Sequence, residues 1–379
     1  MDPINRHREI RGYDAVRRAA KDFVTYSSDL LGDRDVRTYR QLPLEADPPR
    51  HTLFRAALQP LFISSAVAPH MEAFAAQARS LIDQITQQGG GDIVADVALP
   101  YTIGCLGVIY SRPQDVEEWI SWGPDVWTAE AYANGEVTAE SKRAHRDRDY
   151  DLPSQRSGKT LQAYLDRVLT VAEQRYAAGE PALDIWDRVT RLDIDGAHPT
   201  REEMQGIASV LLAGGRDTVI KLISGLAWHL IRQPEDRQFL LEHPGKANAA
   251  IAEMVRYLSP LQKIERLQSL DGGAAEYVLL DFASANHDPQ VWTDPGRVDI
   301  QRPRYPHLGF GAGPHSCLGM TLAAHEARAF LDVVLHNWPG WEFDGEPEIE
   351  WVIDDSSTPT LIDRFDAVRV RIPTGPIHP

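Results

Sequence analysis

The feature that most constrains this chain is a glycine-rich loop that contains one of its two cysteines. The loop, HLGFGAGPHSCLGM, covers residues 307–320, and apolar residues then repeat at helical spacing up to His336. Gly311 and Gly313 allow backbone conformations that are closed to other residues, and Gly319 removes a side chain near the helix. Such a loop places a thiol at the start of a helix and keeps space around it.

The position of Cys317 favours its thiolate form. If a helix begins at Leu318, the unpaired N–H groups of its first turn point back toward the sulfur. The positive end of the helix dipole lies there too, and it stabilises a negative charge. A thiolate with cleared space beside it suits the binding of one large planar metal complex.

Other roles for the cysteine are open at this point. A lone cysteine is commonly a buried structural residue, and a thiolate beside His315 could also be a nucleophile. A phosphate-binding loop is disfavoured, because the segment lacks the third glycine and does not follow a strand. The other cysteine, Cys105, lies in the apolar stretch YTIGCLGVIY and is expected to be a core residue.

Composition narrows the class of protein. The 379 residues are 43% hydrophobic and 25% charged, no linker divides them, and one domain over residues 1–379 is expected. The formal charge of −16 disfavours nucleic acid as a partner. Few cysteines favour a reducing compartment, and no run approaches the roughly 18 apolar residues of a membrane span. We therefore expect a cytoplasmic enzyme without a membrane segment.

Helical patterns dominate the chain and strands are sparse. The patterns predict a mainly α fold with a small β component, with helices over 12–23, 158–179, 200–233, 246–258 and 318–336 and strands over 276–282 and 367–372. The highly charged segment 139–158 is expected to be a surface loop or lid.

The helix predicted over 200–233 is longer than most and carries two glycines in its middle. Thr200 and Glu203 form the pattern of a capping box at its start. Gly214 and Gly215 lie in its middle, where each costs about 1 kcal/mol relative to alanine. The pair allows the helix to unwind locally.

The cysteine loop resembles the haem-ligand loop of the cytochrome P450 family. The shared pattern is Phe310-Gly311-x-Gly313-x-His315-x-Cys317-x-Gly319. The resemblance implies a prism of α-helices with minor sheets and a long central helix on the distal side of haem b. It also implies that Cys317 is the proximal iron ligand and that Phe310, Gly311 and Gly319 border the haem.

Gly214 to Thr218, GGRDT, resembles the family's glycine–acid–threonine element on that distal helix. The resemblance implies that Asp217 relays protons from solvent and that Thr218 hydrogen-bonds iron-bound oxygen. Without the resemblance, the same residues would be an ordinary solvated acid beside a helical threonine. The resemblance also implies that the substrate pocket includes Leu211, Gly214, Gly215 and Ile264.

Glu253 and Arg256 are three residues apart on one helix face and would ordinarily be a surface pair. In the family the E-x-x-R pair is buried and joined by a second arginine, and Arg302 stands at that place. The resemblance therefore implies a structural role for all three. The segment ANHDPQVW (285–292) is similar to another structural family segment.

Haem carries two propionates that need cationic or hydrogen-bonding partners. Five residues occupy positions that resemble the family's propionate partners: His51, Arg55, Arg266, His307 and His315.

The resemblance implies a monooxygenase that activates dioxygen to hydroxylate a small or medium hydrophobic substrate. The chain has no flavin or iron–sulfur motif, so electrons are expected from a separate ferredoxin with its NAD(P)H-dependent reductase. A basic patch of Arg50, Arg302, Arg304 and Arg328 could dock that donor. The alternatives are a haem-binding sensor or carrier, and a variant that uses peroxide instead of dioxygen and electrons.

Two features depart from the family pattern. The segment before GYDAV is shorter than in relatives, and so is the passage at 267–276, where the family has a hairpin. Among subgroups, GGRDT is most similar to soluble bacterial enzymes of the camphor-hydroxylating type.

Overall fold

The computed structural model describes residues 8–30, 39–122, 159–270, 275–353 and 359–373, and the predicted lid at 139–158 lies outside them. The α-helices of this part of the chain are α1 (Tyr13–Ala19), α2 (Arg50–Leu58), α3 (Ser64–Val67), α4 (Met71–Gln87), α5 (Leu99–Ile109), α6 (Val116–Ser121), α7 (Lys159–Ala177), α8 (Ile185–Thr190), α9 (Arg201–Gly214), α10 (Asp217–Arg232), α11 (Pro234–Glu242), α12 (Ala247–Leu258), α13 (Phe282–Asn286) and α14 (Met320–His336).

Each region predicted to be helical contains a helix, and local chemistry sets several of the helix ends. Thr200 caps α9 through a complete capping box, in which Glu203 bonds back to the Thr200 backbone. Gly179, with φ of +72°, follows the end of α7 as expected of a terminating glycine. The long helix predicted over 200–233 is two helices, because the chain leaves the helical path after Gly214 and resumes it at Asp217. None of the helices in the described ranges is long and apolar enough to cross a bilayer.

The strands form three small sheets. They are β1 (Arg8–Ile10), β2 (Tyr26–Ser27), β3 (Gly90–Asp92), β4 (Lys263–Ser269), β5 (Ala275–Asp281), β6 (Glu342–Phe343), β7 (Glu348–Ile353), β8 (Pro359–Ala367) and β9 (Arg369–Arg371). Their orders are β1-β5-β4-β2, β3-β9-β6 and β7-β8. The strand predicted over 276–282 is β5, and the one over 367–372 is split between the end of β8 and β9.

The passage at 267–276, predicted to be shorter than the family's hairpin, includes residues of two paired strands. Strands β4 and β5 pair antiparallel over seven residues each, from Lys263 opposite Asp281 to Ser269 opposite Ala275. The parallel partner of β5 is β1, with Ile10 opposite Leu280. One outer strand of this sheet is therefore β1, and the other is β2.

The described residues divide into two compact units. The first contains the described residues up to Tyr26, Phe62–Cys105 and those from Thr218 onward. Its helices α4 and α14 pack against each other. One hydrophobic core cluster joins α1 to the sheet and to the cysteine loop through Tyr13, Val16, Leu280, Phe282 and Leu308.

The second unit contains Ser27–Leu61 and Leu106–Asp217. Helices α7, α8 and α9 pack together in it. Tyr164 is the centre of its aromatic cluster, with ring centroids 5.4–6.1 Å from those of Trp119, Trp122 and Trp186. The Tyr164 hydroxyl donates to Asp115 at 2.6 Å and accepts from the Trp186 indole N–H at 3.1 Å, so this hydroxyl is satisfied in hydrogen bonding.

Candidate active site

The cysteine loop is a series of tight backbone turns. The Gly311 amide donates to the Leu308 carbonyl at 2.9 Å, and the Cys317 amide donates to the Phe310 carbonyl at 2.8 Å. Gly311 and Gly313 have φ of +72° and +71°, in the left-handed region that favours glycine. These turns leave Cys317 exposed.

The expected helix start at Leu318 is wrong. Helix α14 begins at Met320 with Gly319 as its N-cap, so two residues separate Cys317 from the first helical residue. The reason is local: the Cys317 amide is engaged by Phe310, which holds the chain in the loop until Gly319. A Cβ at Gly319 would lie 3.9 Å from the Cys317 sulfur, and it would meet no other atom within 4 Å apart from those of the adjoining residues. The space beside the sulfur is open.

Glycines allow the loop to approach two helices closely. A Cβ at Gly313 would lie 2.5 Å from the Ala20 carbonyl oxygen, just after α1. A Cβ at Gly309 would lie 2.7 Å from the Val255 side chain on α12. The Tyr13 hydroxyl donates to the Pro306 carbonyl at 2.7 Å. The loop is therefore fixed between α1 and α12.

Glu253, Arg256 and Arg302 come together as a buried ionic cluster. Arg256 donates to both Glu253 carboxylate oxygens, at 2.9 and 2.8 Å. Arg302 Nε donates to Glu253 Oε1 at 3.1 Å. Arg256 is 1% exposed and Glu253 is 6% exposed, so the cluster is no surface pair. It fixes the segment that precedes the cysteine loop.

Asn286 is a supporting residue to which the sequence gave no specific role. Its Oδ1 accepts from the Leu308 amide at 2.6 Å, and its side-chain amide donates to Ser259 at 2.9 Å. Arg256 in turn donates to the Asn286 carbonyl at 2.8 Å. The ANHDPQVW segment was the only signal, and the partner, 22 residues away, is not evident from it.

His307 and His315 both lie in the cysteine loop. His307 Nδ1 accepts from the Gly309 amide at 3.2 Å. Burial lowers the pKa of His307 to about 4, so its imidazole is neutral near pH 7. His315 ends the short 3₁₀ turn Gly313–His315. His307 is therefore suited to hydrogen bonding rather than to charge pairing.

Arg266 and Ile264 lie two residues apart on β4. Arg266 is 5% exposed, and its Nη1 donates to the Glu265 carbonyl at 2.7 Å. Ile264 is partly buried and packs against the core cluster that includes Tyr13 and Phe282.

The break between α9 and α10 contains the predicted acid and alcohol. Asp217 and Thr218 are the first two residues of α10, and the Asp217 side chain is 54% exposed. Arg216, which the sequence did not single out, is 2% exposed and donates to the Trp119 carbonyl at 2.8 Å. Its Nε lies 3.7 Å from Asp217 Oδ1. A fixed cation therefore lies beside a solvent-accessible carboxylate.

Leu211 is buried in α9, and its carbonyl accepts from the Tyr110 hydroxyl at 2.7 Å. Gly214 is exposed, whereas a Cβ at Gly215 would lie 3.3 Å from Leu106. The predicted site residues belong to both units. The first unit has Thr218, Glu253, Arg256, Ile264, Arg266, Arg302, His307, Phe310, Gly311, His315, Cys317 and Gly319, and the second has His51, Arg55, Leu211, Gly214, Gly215 and Asp217.

The predicted basic patch is largely engaged in intramolecular pairs. Arg302 belongs to the buried cluster, Arg328 pairs with Asp332 at 2.7 Å, and Arg50 pairs with Glu203 at 2.9 Å. Of the four arginines, Arg304 is the one that the structure leaves exposed outside these pairs.

The model of the family described as Cytochrome P450 matches residues 154–348. The chain belongs to the cytochrome P450 family. It is 30% identical over 339 residues to the probable cytochrome P450 127A1 of Sinorhizobium fredii, covering 85% of this chain and 73% of the relative. It is also 30% identical to the cyclomarin C epoxidase of Salinispora arenicola, covering 88% of this chain and 84% of the relative.

A solved structure of a carbohydrate active P450 is similar to this P450 with a TM-score of 0.76 and 26% identity, covering 95% of this chain and 91% of the other. The predicted class of enzyme, a P450 monooxygenase, and the predicted mainly helical P450 fold are both confirmed. The sequence motifs that carried the resemblance therefore identified the family correctly.

Proposed function

We propose that this P450 is a haem-thiolate monooxygenase in which Cys317 is the proximal iron ligand. The observation that carries the proposal is the exposed sulfur of Cys317, in a loop fixed between α1 and α12, with open space at Gly319. A thiolate is a soft donor that haem iron accepts as an axial ligand. The exposed position of Cys317 leaves it accessible to a bound group, and the chemistry of the donor fits iron.

His51, Arg55, Arg266, His307 and His315 would hold the haem carboxylates. Arg266 contributes a charge from a nearly buried position, whereas the neutral ring of His307 contributes an N–H group. Phe310 and Gly311 would border the ring on the sulfur side. When bound, haem b supplies the oxygen-activating chemistry, and the protein supplies the axial ligand, orientation and protons.

Proton delivery is assigned to Asp217 and Thr218. The Asp217 carboxylate is 54% exposed, so it can take a proton from solvent at Oδ1 or Oδ2. The residue that follows it, Thr218, has a hydroxyl that can accept a proton from a neighbour while it donates its own. General acids placed in this way contribute about 10²–10⁴-fold to a rate.

The substrate is a small or medium hydrophobic molecule, bordered by Leu211, Gly214, Gly215 and Ile264. The electron donor is a ferredoxin with an NAD(P)H-dependent reductase, and the whole chain acts as one catalytic domain in the cytoplasm. The form GGRDT at the helix break supports a likeness to the camphor-hydroxylating subgroup.

The ligand assignment is tested by the absorption spectrum of the reduced protein with carbon monoxide. The wild-type protein should absorb at the long-wavelength position typical of thiolate-ligated haem. Cys317→His should lose that band, while Cys105→Ala, which removes the buried thiol of α5, should keep it. A thiolate band that survives in Cys317→His would refute the assignment.

The proton-delivery assignment is tested by peroxide release per NADH consumed, with surrogate ferredoxin and reductase. Thr218→Ala should release several-fold more peroxide than the wild-type protein, while Thr170→Ala, an exposed helical threonine of α7, should not. Equal release in all three proteins would contradict the role of Thr218. A wild-type protein that consumes no oxygen under these conditions would favour the sensor or the peroxide-using alternative.

A further inference from the structure

Lys221 is a buried lysine on α10, one turn after Thr218. It is 5% exposed, and its Nζ donates to the Ile362 carbonyl of β8 at 2.7 Å. The side-chain amide of Gln262 donates to the same carbonyl at 3.0 Å. Lysine is almost never fully buried, because removing its charge from water is costly.

The contact fastens β8 to one particular turn of α10. Thr218 and Lys221 are three residues apart, so they lie on the same side of the helix. Trp228, seven residues further on, packs against Phe365 of β8 with ring centroids 5.8 Å apart. Strand β8 therefore contacts α10 at two places, and Ile362 is the point where it meets the turn that begins with Thr218.

The groups that act electrostatically on Lys221 in the described part of the chain come from two other elements. Asp363 is its neighbour on β8, and His287 follows α13. Burial lowers the pKa of Lys221 to about 7, and Asp363 opposes this shift only in part. Burial also lowers the pKa of His287 to about 4, so His287 stays neutral while Lys221 titrates.

The contact with β8 costs stability rather than adding it. In the unfolded chain the amine keeps its proton up to about pH 10.4, whereas in place it loses the proton near neutrality. An apolar side chain at this position would fill the space without that cost. Residues retained at a cost to stability are commonly functional.

We propose that Lys221 is a positioning residue: its amine fastens β8 to the turn of α10 that begins with Thr218, and the fastening loosens when the amine gains a proton. The proposal rests on the proposed function only in that Thr218 lies at the reaction site. In the fastened state, the neutral amine donates one hydrogen to the Ile362 carbonyl. Once protonated, the ammonium group is more stable in water than in the protein interior. Strand β8 therefore opens more often, and each opening breaks the hydrogen bond to Ile362.

The test is hydrogen exchange of the haem-loaded, full-length protein, measured by mass spectrometry and corrected for the intrinsic pH dependence. Wild-type peptides over β8 (359–367) should exchange on the order of tenfold more slowly at about pH 8.5 than at about pH 6.5, since opening is linked to proton uptake. Lys221→Met should abolish this pH effect. Lys246→Met, which removes an exposed lysine, should leave it unchanged.

Several outcomes would overturn the proposal. One is a pH effect that persists in Lys221→Met, and another is its absence in the wild-type protein. A third is an equal pH effect in peptides over β3 and β9, because that reports the stability of the whole unit and not the fastening of β8. If Lys221→Met does not fold, Lys221→Gln provides an uncharged side chain for the same comparison.

A second measurement links β8 to the reaction site. Because β8 opens more often at the lower pH, carbon monoxide released by a flash should rebind to the reduced protein faster at about pH 6.5 than at about pH 8.5. Lys221→Met should remove this difference. An exchange response without a rebinding response would refute positioning of the reaction site. The exchange measurement does not depend on turnover, so its failure is distinguishable from failure of the proposed function.

Discussion

The cysteine loop (307–319) and the helix break (214–218) are held in opposite ways. The loop is fixed by tight turns, by Tyr13 and Asn286, and by glycines that let it touch α1 and α12. At the break, a Cβ at Gly214 would meet no atom within 4 Å beyond its own stretch of helix, and Asp217 is about half exposed. Arg216 is anchored there through its bond to the Trp119 carbonyl.

The difference matches what each region is proposed to do. A metal ligand must stay within a fraction of an ångström of its productive position, which requires supporting contacts on every side. A proton relay must exchange with water and change its hydrogen-bond partners, which requires access and local freedom. We expect substitutions in the support of the loop to cost stability, and substitutions at the break to change function with little cost.

The largest effect is expected at the ionic cluster behind the loop. Arg256→Met leaves Glu253 buried without its main partner, which should lower the free energy of unfolding by about 3–5 kcal/mol. Urea unfolding and haem content measure the effect. Arg371→Met, at an exposed pair with Glu342, is the control and should behave like wild type. Equal stability of the two variants would show that the cluster does not support the loop.

The next largest effect is the pH dependence of stability that burial of His287, the residue after Asn286, produces. The pKa of His287 is about 4 in the folded protein and about 6.5 when unfolded, so the unfolded chain binds the extra proton between these values. The contribution of the buried, neutral His287 to the free energy of unfolding is complete above about pH 6.5. Up to about 3 kcal/mol of it is lost as the pH falls toward 4. His287→Gln should flatten the pH dependence of urea unfolding in this range.

His336→Gln is the matched control for this prediction. Both histidines bond through Nδ1 to the carbonyl four residues earlier, but His336 is exposed at the end of α14. An unchanged acid response in His287→Gln, or the same response in both variants, would contradict burial as the cause.

The third-largest effect is expected from adding a single methyl group to the cysteine loop. Gly313→Ala combines a positive φ of +71° with a Cβ only 2.5 Å from the Ala20 carbonyl oxygen. It should lower the free energy of unfolding by about 2 kcal/mol and reduce haem retention. A wild-type thermal midpoint would show that the loop is able to move away from α1.

Gly214→Ala should have the smallest effect and the opposite sign. Nothing lies within 4 Å of the new methyl group, and alanine is the better helix former, so stability should rise by about 0.5 kcal/mol. The stiffer end of α9 should at the same time increase peroxide release. A loss of stability in this variant would mean that the break is as closely packed as the loop.

The sequence predicted the parts of the fold that depend on local chemistry. The capping box at Thr200 and the terminating Gly179 act within a few residues, so their patterns are sufficient to place helix ends. The glycine pair indicated a place where the helix over 200–233 can unwind, but the sequence predicted one helix where the structure has two. The start of α14 was misplaced by two residues, because the bond from Cys317 to Phe310 delays it.

The remaining features depend on distant partners. Strand β4, KIERLQS, has no clear alternation and is a strand because it pairs with β5 over its whole length. Burial of the Glu253–Arg256 pair was expected only through the family resemblance, since spacing alone describes a surface pair. Lys221 and Arg216 gave no signal, because a buried cation depends on backbone carbonyls supplied by β8 and α6.

The bond between Tyr13 and Pro306 joins residues 293 positions apart. During synthesis, α1 leaves the ribosome long before the cysteine loop does, and it must wait for most of the chain before it meets this partner. Contacts at such sequence distance form slowly, since a long loop must close first. Cofactor capture should consequently be a late event in maturation, and a chain released before the loop emerges should accumulate without pigment.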